Sequence, residues 1–277
     1  NAKSLTVGCW KQHRKETFWD RDTTLFSSAE KQQYYQAITQ AKLKSGEEKL
    51  ARHERAKFAV NQLWNDCPDE GIKSHNYLLN KQVSAYGLRV EGERLLVPLR
   101  DVSGVLWSIQ KIHNDGTKRF YSGGRVKGCY HAIGTPKGEL ILCEGYATGA
   151  SIHEATGEAV AVCFNTGNLK DVALSLRDEC PNMEMLIAGD NDQFNETNIG
   201  KQKAQEAAQL VSAKMVIPSF KDYDFYLKPT YFNDLHFLSW LVFFKSQLNL
   251  DPILAFALLN PIPLPNFLPS CGQSSYN

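Results

Sequence analysis

A chain of 277 residues, 43% hydrophobic and 22% charged, has material for two domains and the composition of an ordinary folded protein, which excludes a disordered or fibrous one. Lys plus Arg number 31 against 30 for Asp plus Glu, so the formal charge of +1 gives no global pull toward phosphate backbones, and any nucleic-acid footprint must be local. Seven cysteines are an odd count with no C-x-x-C pair, which implies neither a disulfide framework nor a zinc ribbon and makes a reducing cytoplasm the expected setting.

The chain opens on Asn1 with no initiator Met and no signal sequence, and reads as a processed or excised chain with room for a lost upstream zinc module. From Ser27 to Trp64 it is rich in Ala, Gln, Lys and Glu, with Tyr34, Ile38, Ala41, Phe58, Leu63 and Trp64 at roughly helical spacing. One or two charged helices are predicted, with a break near Ser45-Gly46, and a solvated arm is their plain reading. Residues 1–85 are expected to be mainly helical.

Arg94–Arg100 reads as a strand, Asp101-Val-Ser-Gly104 as a turn and Val105–Gln110 as the hairpin partner. His113-Asn-Asp-Gly116 offers a second turn and Arg119–Tyr121 a third strand. A small antiparallel β unit is therefore assigned to residues 86–136. The interval from Lys111 to Lys127 is the local basic patch, with Lys111, Lys118, Arg119, Arg125 and Lys127 against Asp115 alone.

After Gly138 short apolar strands alternate with amphipathic helices: Leu140–Cys143, Ala147–Ala155, Ala159–Cys163, Leu169–Cys180, Met185–Ala188, Gly200–Ala213 and Lys214–Ile217. This rhythm predicts an α/β unit over 137–236, a parallel sheet covered on both faces, with ligands beyond the carboxyl ends of its strands. Residues 237–277 form an apolar, proline-rich tail whose hydrophobic runs are shorter than the roughly 18 residues of a membrane span. No membrane partner is expected, and core packing or partner binding is the plain reading of the tail.

Three acids stand at predicted strand ends: Glu144 in Cys143-Glu-Gly-Tyr146, and Asp190 and Asp192 in Ala188-Gly-Asp-Asn-Asp192. The following glycine leaves the backbone free to turn beside the acid. Asp-x-Asp puts two carboxylates within reach of one hard cation, and three acids with water suit Mg²⁺ (or Mn²⁺) better than zinc. A lone acid at a loop start is more often a helix N-cap. Convergence from two different strands weighs against that here.

Glu144-Gly-Tyr-Ala-Thr-Gly-Ala-Ser151 resembles the first motif of Toprim domains, and Gly189-Asp-Asn-Asp192 resembles their Asp-x-Asp motif. Val162–Leu169, which includes Asn168, is similar to a strand and turn of Toprim primases of plasmids and prophages. Upstream, Arg94–Asp101, Gly104, Trp107-Ser108, Lys118–Gly124 and Gly128-Cys-Tyr130 resemble the basic β subdomain that precedes Toprim in bacterial-type primases. The likeness runs from about Trp64 to His236, with a fainter echo at Trp10–Trp19.

The resemblance implies a Toprim parallel-sheet domain preceded by a small antiparallel β subdomain and an N-terminal helical region. It further implies a DNA primase making short RNA primers on single-stranded DNA from nucleoside triphosphates, with a replicative helicase as partner. Glu144, Asp190 and Asp192 would hold the magnesium. Lys118, Arg119, Arg125, Lys127, Lys201 and Asn168 would contact nucleotide or template, and Phe120, Tyr121 and Tyr130 would stack bases unless they pack the core. Lys201 opens a helix, where a solvated lysine is the equal alternative. Two departures stand out: Tyr231 occupies a place where a further acid is expected, leaving Asp234 as the local carboxylate, and the sequence after Phe237 does not continue a charged helix. Competing readings are another Toprim chemistry such as a nuclease or topoisomerase, a single-stranded-DNA-binding, helicase-associated module, and an aspartyl-phosphate phosphatase. No Walker A signature is present.

Overall fold

The computed structural model describes residues 9–12, 15–18, 27–220 and 229–239. Of the expected tail, residues 240–277 lie outside the described residues, as do 221–228 and parts of the stretch from Trp10 to Trp19. Strands β1 (Cys9–Gln12) and β2 (Lys15–Phe18) pair antiparallel, within a region expected to be mainly helical.

Helix α1 (Ser28–Asp66) starts where Ser27 and Glu30 form a capping box, each closing the other's backbone N–H. It runs unbroken through Ser45-Gly46, where the sequence predicts a break. One interior glycine costs only about 1 kcal/mol relative to alanine, and neither proline nor a left-handed residue stands there to stop the ladder. Tyr34 near its start and Ala56 and Val60 near its end are buried, and at the end Val60, Leu63 and Trp64 join Leu96, Leu106 and Ile109 in one apolar cluster.

After a 3-10 turn (Ile72–Ser74) and the short helix α2 (Asn76–Lys81) comes a four-stranded antiparallel sheet, in the order β3 (Arg89–Glu91), β4 (Arg94–Arg100), β5 (Leu106–Ile112) and β6 (Lys118–Phe120). Strand β4 is buried on both faces. Leu95, Val97 and Leu99 enter the core shared with the second sheet, while Leu96 faces α1. That double burial is why Arg94–Arg100 reads as a continuous apolar run rather than an alternating one. Pro98 is tolerated because β3 pairs only with Arg94 to Leu96, leaving Pro98 at an open edge.

The second sheet is built from β7 (His131–Ile133), β8 (Glu139–Cys143), β9 (Ala159–Val162), β10 (Glu184–Ala188) and β11 (Lys214–Val216), in the order β11-β10-β8-β9-β7. Four strands are parallel and the edge strand β7 is antiparallel. Helix α3 (Tyr146–Thr156) covers one face; α4 (Thr166–Glu179) and α5 (Ile199–Leu210) cover the other. Alternate residues of β8 and β9 divide between the two cores, Ile141 and Val160 toward α3, Leu142 and Ala161 toward α4 and α5. The fold is α/β, with a mainly parallel sheet preceded by an antiparallel one and a helical region. Residues 232–239 form a last described helical segment. Among the described residues no helix is long and apolar enough to cross a membrane.

Gly149 lets α3 lie close against this sheet: a Cβ there would stand 2.7 Å from Val162 Cγ2 and 3.1 Å from Cys143 Sγ. Gly149→Ala overpacks that contact and is expected to lower stability by about 1–3 kcal/mol, read as a shift of the urea midpoint at unchanged slope.

Candidate active site

Parallel pairing of β8 with β10 sets Cys143 opposite Ala188, so the residues that follow, Glu144 and Gly189-Asp190, leave the sheet side by side at its carboxyl rim. The chain after β9 closes a third side. Cys163 N–H donates to the Cys143 carbonyl at 2.8 Å, and Phe164 N–H to the Glu144 carbonyl at 2.7 Å. Phe164 holds a left-handed backbone with φ of 71°, an uncommon conformation for an aromatic residue and one that clusters at functional sites. Gly145 adopts an extended φ of −104° that any residue could take, so its contribution is the space it leaves beside Glu144. Gly189 is sterically required, since a Cβ there would meet Ala204 Cβ at 2.5 Å and push α5 away.

Glu144 and Asp190 open onto a cleft of about 490 Å³ between the two sheets. Its walls include Tyr77, Asn80 and Lys81 of α2, the turn Asn114–Gly116, Lys118, Thr148, Phe164, Tyr231 and Asn233. Asp190 is only 6% exposed, and its Oδ1 has no hydrogen-bond partner. Burial first, then the charges of Glu144, Asp192 and Asp234, push its pKa up to about 8, with Lys118 pulling the other way. Glu144 is raised to about 7 by burial and then by Asp192, against the Thr166 backbone N–H and Lys118. Lys118 presents an exposed surface, yet cleft atoms crowd its ammonium, so desolvation lowers its pKa while Glu144 and Asp190 raise it.

Asp192 turns away along α5. Its Oδ2 accepts from Gly200 N–H at 3.0 Å, and its own N–H donates to the α5 cap Asn198. Asn191 N–H donates to the Thr230 carbonyl, fastening the acidic loop to the 229–239 segment. Asp234 Oδ2 accepts from the backbone N–H groups of Thr230 and Tyr231, so that oxygen closes the local turn. Tyr231 stands in the cleft wall, and Asp190, Asp192 and Glu144 all raise its phenol pKa after burial does.

The residues present fit a hard divalent cation in chemistry: oxygen donors only, Asp190 buried with an orphaned oxygen and Glu144 half-buried beside it, each with a raised pKa. Glu144 and Asp190 would hold it, with Asp192 as the third carboxylate. Among the described residues no three acidic, His or Cys side chains form a ready-made cage, because Asp192 is drawn onto the α5 N-terminus.

The other predicted contacts scatter. Arg119 is exposed on β6 and Lys201 is exposed on the first turn of α5. Lys127 is 77% exposed and 3.4 Å from Asp171. Arg125 is engaged elsewhere, paired with Asp101 at 2.7 Å and lying 3.8 Å over the Trp107 ring. Asn168 is buried: its Nδ2 donates to the carbonyls of Cys129 and Cys163 and its Oδ1 accepts from Gly128 N–H, which ties the loop before β7 to the turn after β9. Phe120 packs edge-on against Phe164 at 5.9 Å beside the cleft, whereas Tyr121 and Tyr130 are partly buried against apolar clusters. Sequence reasoning did not single out Tyr77, Asn80, Lys81 or Phe164 as site residues; the first three sit on a short helix with no motif, and Phe164 lies within the Val162–Leu169 motif without standing out there.

Residues 139–226 match the model of the Toprim domain. The chain carries that domain. Two DNA primases named TraC, both from Escherichia coli, are similar to it, one 37% identical over 161 residues (55% of this chain) and the other 38% identical over 139 residues (47%). The matches span only 14% and 10% of those relatives' lengths. The solved DnaG catalytic core aligns with 76% of this chain and 89% of its own, at 12% identity and a TM-score of 0.40.

Both Toprim carboxyls are raised on folding, so between the ordinary carboxylate range and about pH 8 the native state holds protons that the unfolded chain has lost. Stability of the metal-free protein therefore falls as pH rises through that window. Asp190→Asn is expected to exceed the parent at pH 8 by at least about 1.4 kcal/mol, the worth of one pKa unit, with the gain fading toward about pH 4, in urea titrations at fixed pH.

Proposed function

We propose that this chain is the catalytic part of a DNA primase of plasmid or prophage type: a DNA-directed RNA polymerase joining nucleoside triphosphates into short primers on single-stranded DNA, in the cytoplasm, alongside a replicative helicase. The observation that carries this reading is the facing of half-buried Glu144 and buried Asp190, both with raised pKa values, with Lys118 across one cleft between two sheets. Similarity to the TraC primases supports it. In this reading residues 86–136 act as the basic β subdomain, 137–236 as the Toprim domain, and 1–85 as a helical region.

Phosphoryl transfer asks a protein chiefly to position reactants and to balance charge. Bound Mg²⁺ or Mn²⁺ would supply screening of the triphosphate and acidification of the primer 3′-hydroxyl. Glu144, Asp190 and Asp192 provide negative charge at one rim of the cleft. Lys118 faces them from β6 with a desolvated ammonium suited to a phosphate oxygen. Phe120 and Phe164 form an aromatic edge on which a base can stack. Arg119, Lys127 and Lys201 lie exposed as candidate contacts to template phosphates, whereas Arg125 acts through Asp101 and Trp107.

Asp190→Ala is expected to lower labelled-nucleotide incorporation on single-stranded DNA by at least about 100-fold, the scale of losing a group that balances transition-state charge, while template binding is kept or improved. Incorporation persisting at the parent rate would overturn the catalytic reading in favour of a binding module.

A further inference from the structure

An ammonium facing buried Asp190 and half-buried Glu144 across a cleft is drawn toward contact with them, because Coulomb attraction strengthens as the effective dielectric falls. Lys118 resists that collapse. It closes no direct ion pair with Glu144 or Asp190, although both act on it electrostatically. Its Nζ instead stands over the Tyr77 ring, 5.4 Å from the centroid, inside the range where a ring face attracts a cation.

The ring cannot follow the lysine. Tyr77 is 3% exposed and packed into the core shared by the two sheets. Its N–H donates to His75 Nδ1 at 3.2 Å, and His75 Nε2, which must then carry the proton, donates to the Glu93 carbonyl at 3.0 Å. At the other end of α2, Asn233 Nδ2 donates to the Lys81 carbonyl at 2.8 Å and to Ser151 Oγ at 2.9 Å. The helix that carries Tyr77 is thereby tied to the antiparallel sheet, to α3 and to the 229–239 segment.

We propose that Tyr77 is a positioning residue whose ring face keeps the Lys118 ammonium apart from Glu144 and Asp190, leaving the carboxylates open to a divalent cation and the ammonium open to a phosphate. This rests on the reading of the cleft as a polymerase site. Without the ring, Lys118 swings onto the carboxylates and the site neutralises itself. The ring face acts, not the hydroxyl, so phenylalanine should serve as well as tyrosine.

The test is Mn²⁺ binding by the whole chain without nucleotide, read from the electron paramagnetic resonance of free Mn²⁺, with a thermal melt to check folding. Tyr77→Phe is expected to bind within about twofold of the parent, and Tyr77→Leu about tenfold more weakly (~1.4 kcal/mol). Adding Lys118→Met to Tyr77→Leu should restore binding, which general damage to α2 would not allow. Pentafluorophenylalanine at position 77 keeps the shape and reverses the charge of the ring face, so it should reproduce the loss even where leucine unfolds the protein. Parent-like binding in Tyr77→Leu or with the fluorinated ring, or a double variant that stays weak, overturns the positioning role. A parent that binds no Mn²⁺ overturns the metal-site reading itself, a result distinct from parent-like binding in the variants.

Discussion

Repulsion between Glu144 and Asp190 is the constraint around which the rest of the molecule is arranged. Two carboxylates leave the sheet side by side because β8 and β10 are neighbours in register, and partial burial of both raises their pKa values. A folded chain tolerates this only if the surrounding packing over-determines it. The apolar runs of β8, β9 and β10 supply that packing on both faces, with Gly149 and Gly189 letting helices approach where a methyl group would not fit.

The antiparallel sheet answers the same charge from the opposite wall. Lys118 reaches the cleft from the end of its hairpin, and α2 reaches it from before the first strand of that sheet. The Tyr130–Arg100 bridge joins β4 to the chain entering β7, and Asn168 ties that same stretch to the turn after β9.

Much of this was legible in the sequence because it depends on local period. Arg94–Arg100 has the same bounds in both readings, and the alternation after Gly138 marks every later strand within a residue or two. Glu144, Asp190 and Asp192 stood out because strand ends are readable from apolar runs. The unbroken α1 was not legible, since the prediction gave one glycine more weight than 39 residues of helical ladder allow. Asn168 looked like a site residue because its motif lies beside the acids, but its partners are the backbone at Gly128 and Cys129, 40 and 39 positions earlier, which no local pattern reveals. Tyr77 shows the converse: its importance arises only when β6 folds over it.

Helix α1 is one element by hydrogen bonding but is unevenly packed along its length. Its last third is fastened to the antiparallel sheet through Val60, through His53 to the Gly123 carbonyl and through Asn61 to the Leu106 carbonyl, while most of residues 28–50 meet water. At 1.5 Å per residue, 39 residues reach about 58 Å, longer than a small domain is wide. A displacement of that rod would be felt first in β5, where its far end packs, and through β5 in the strand that carries Lys118.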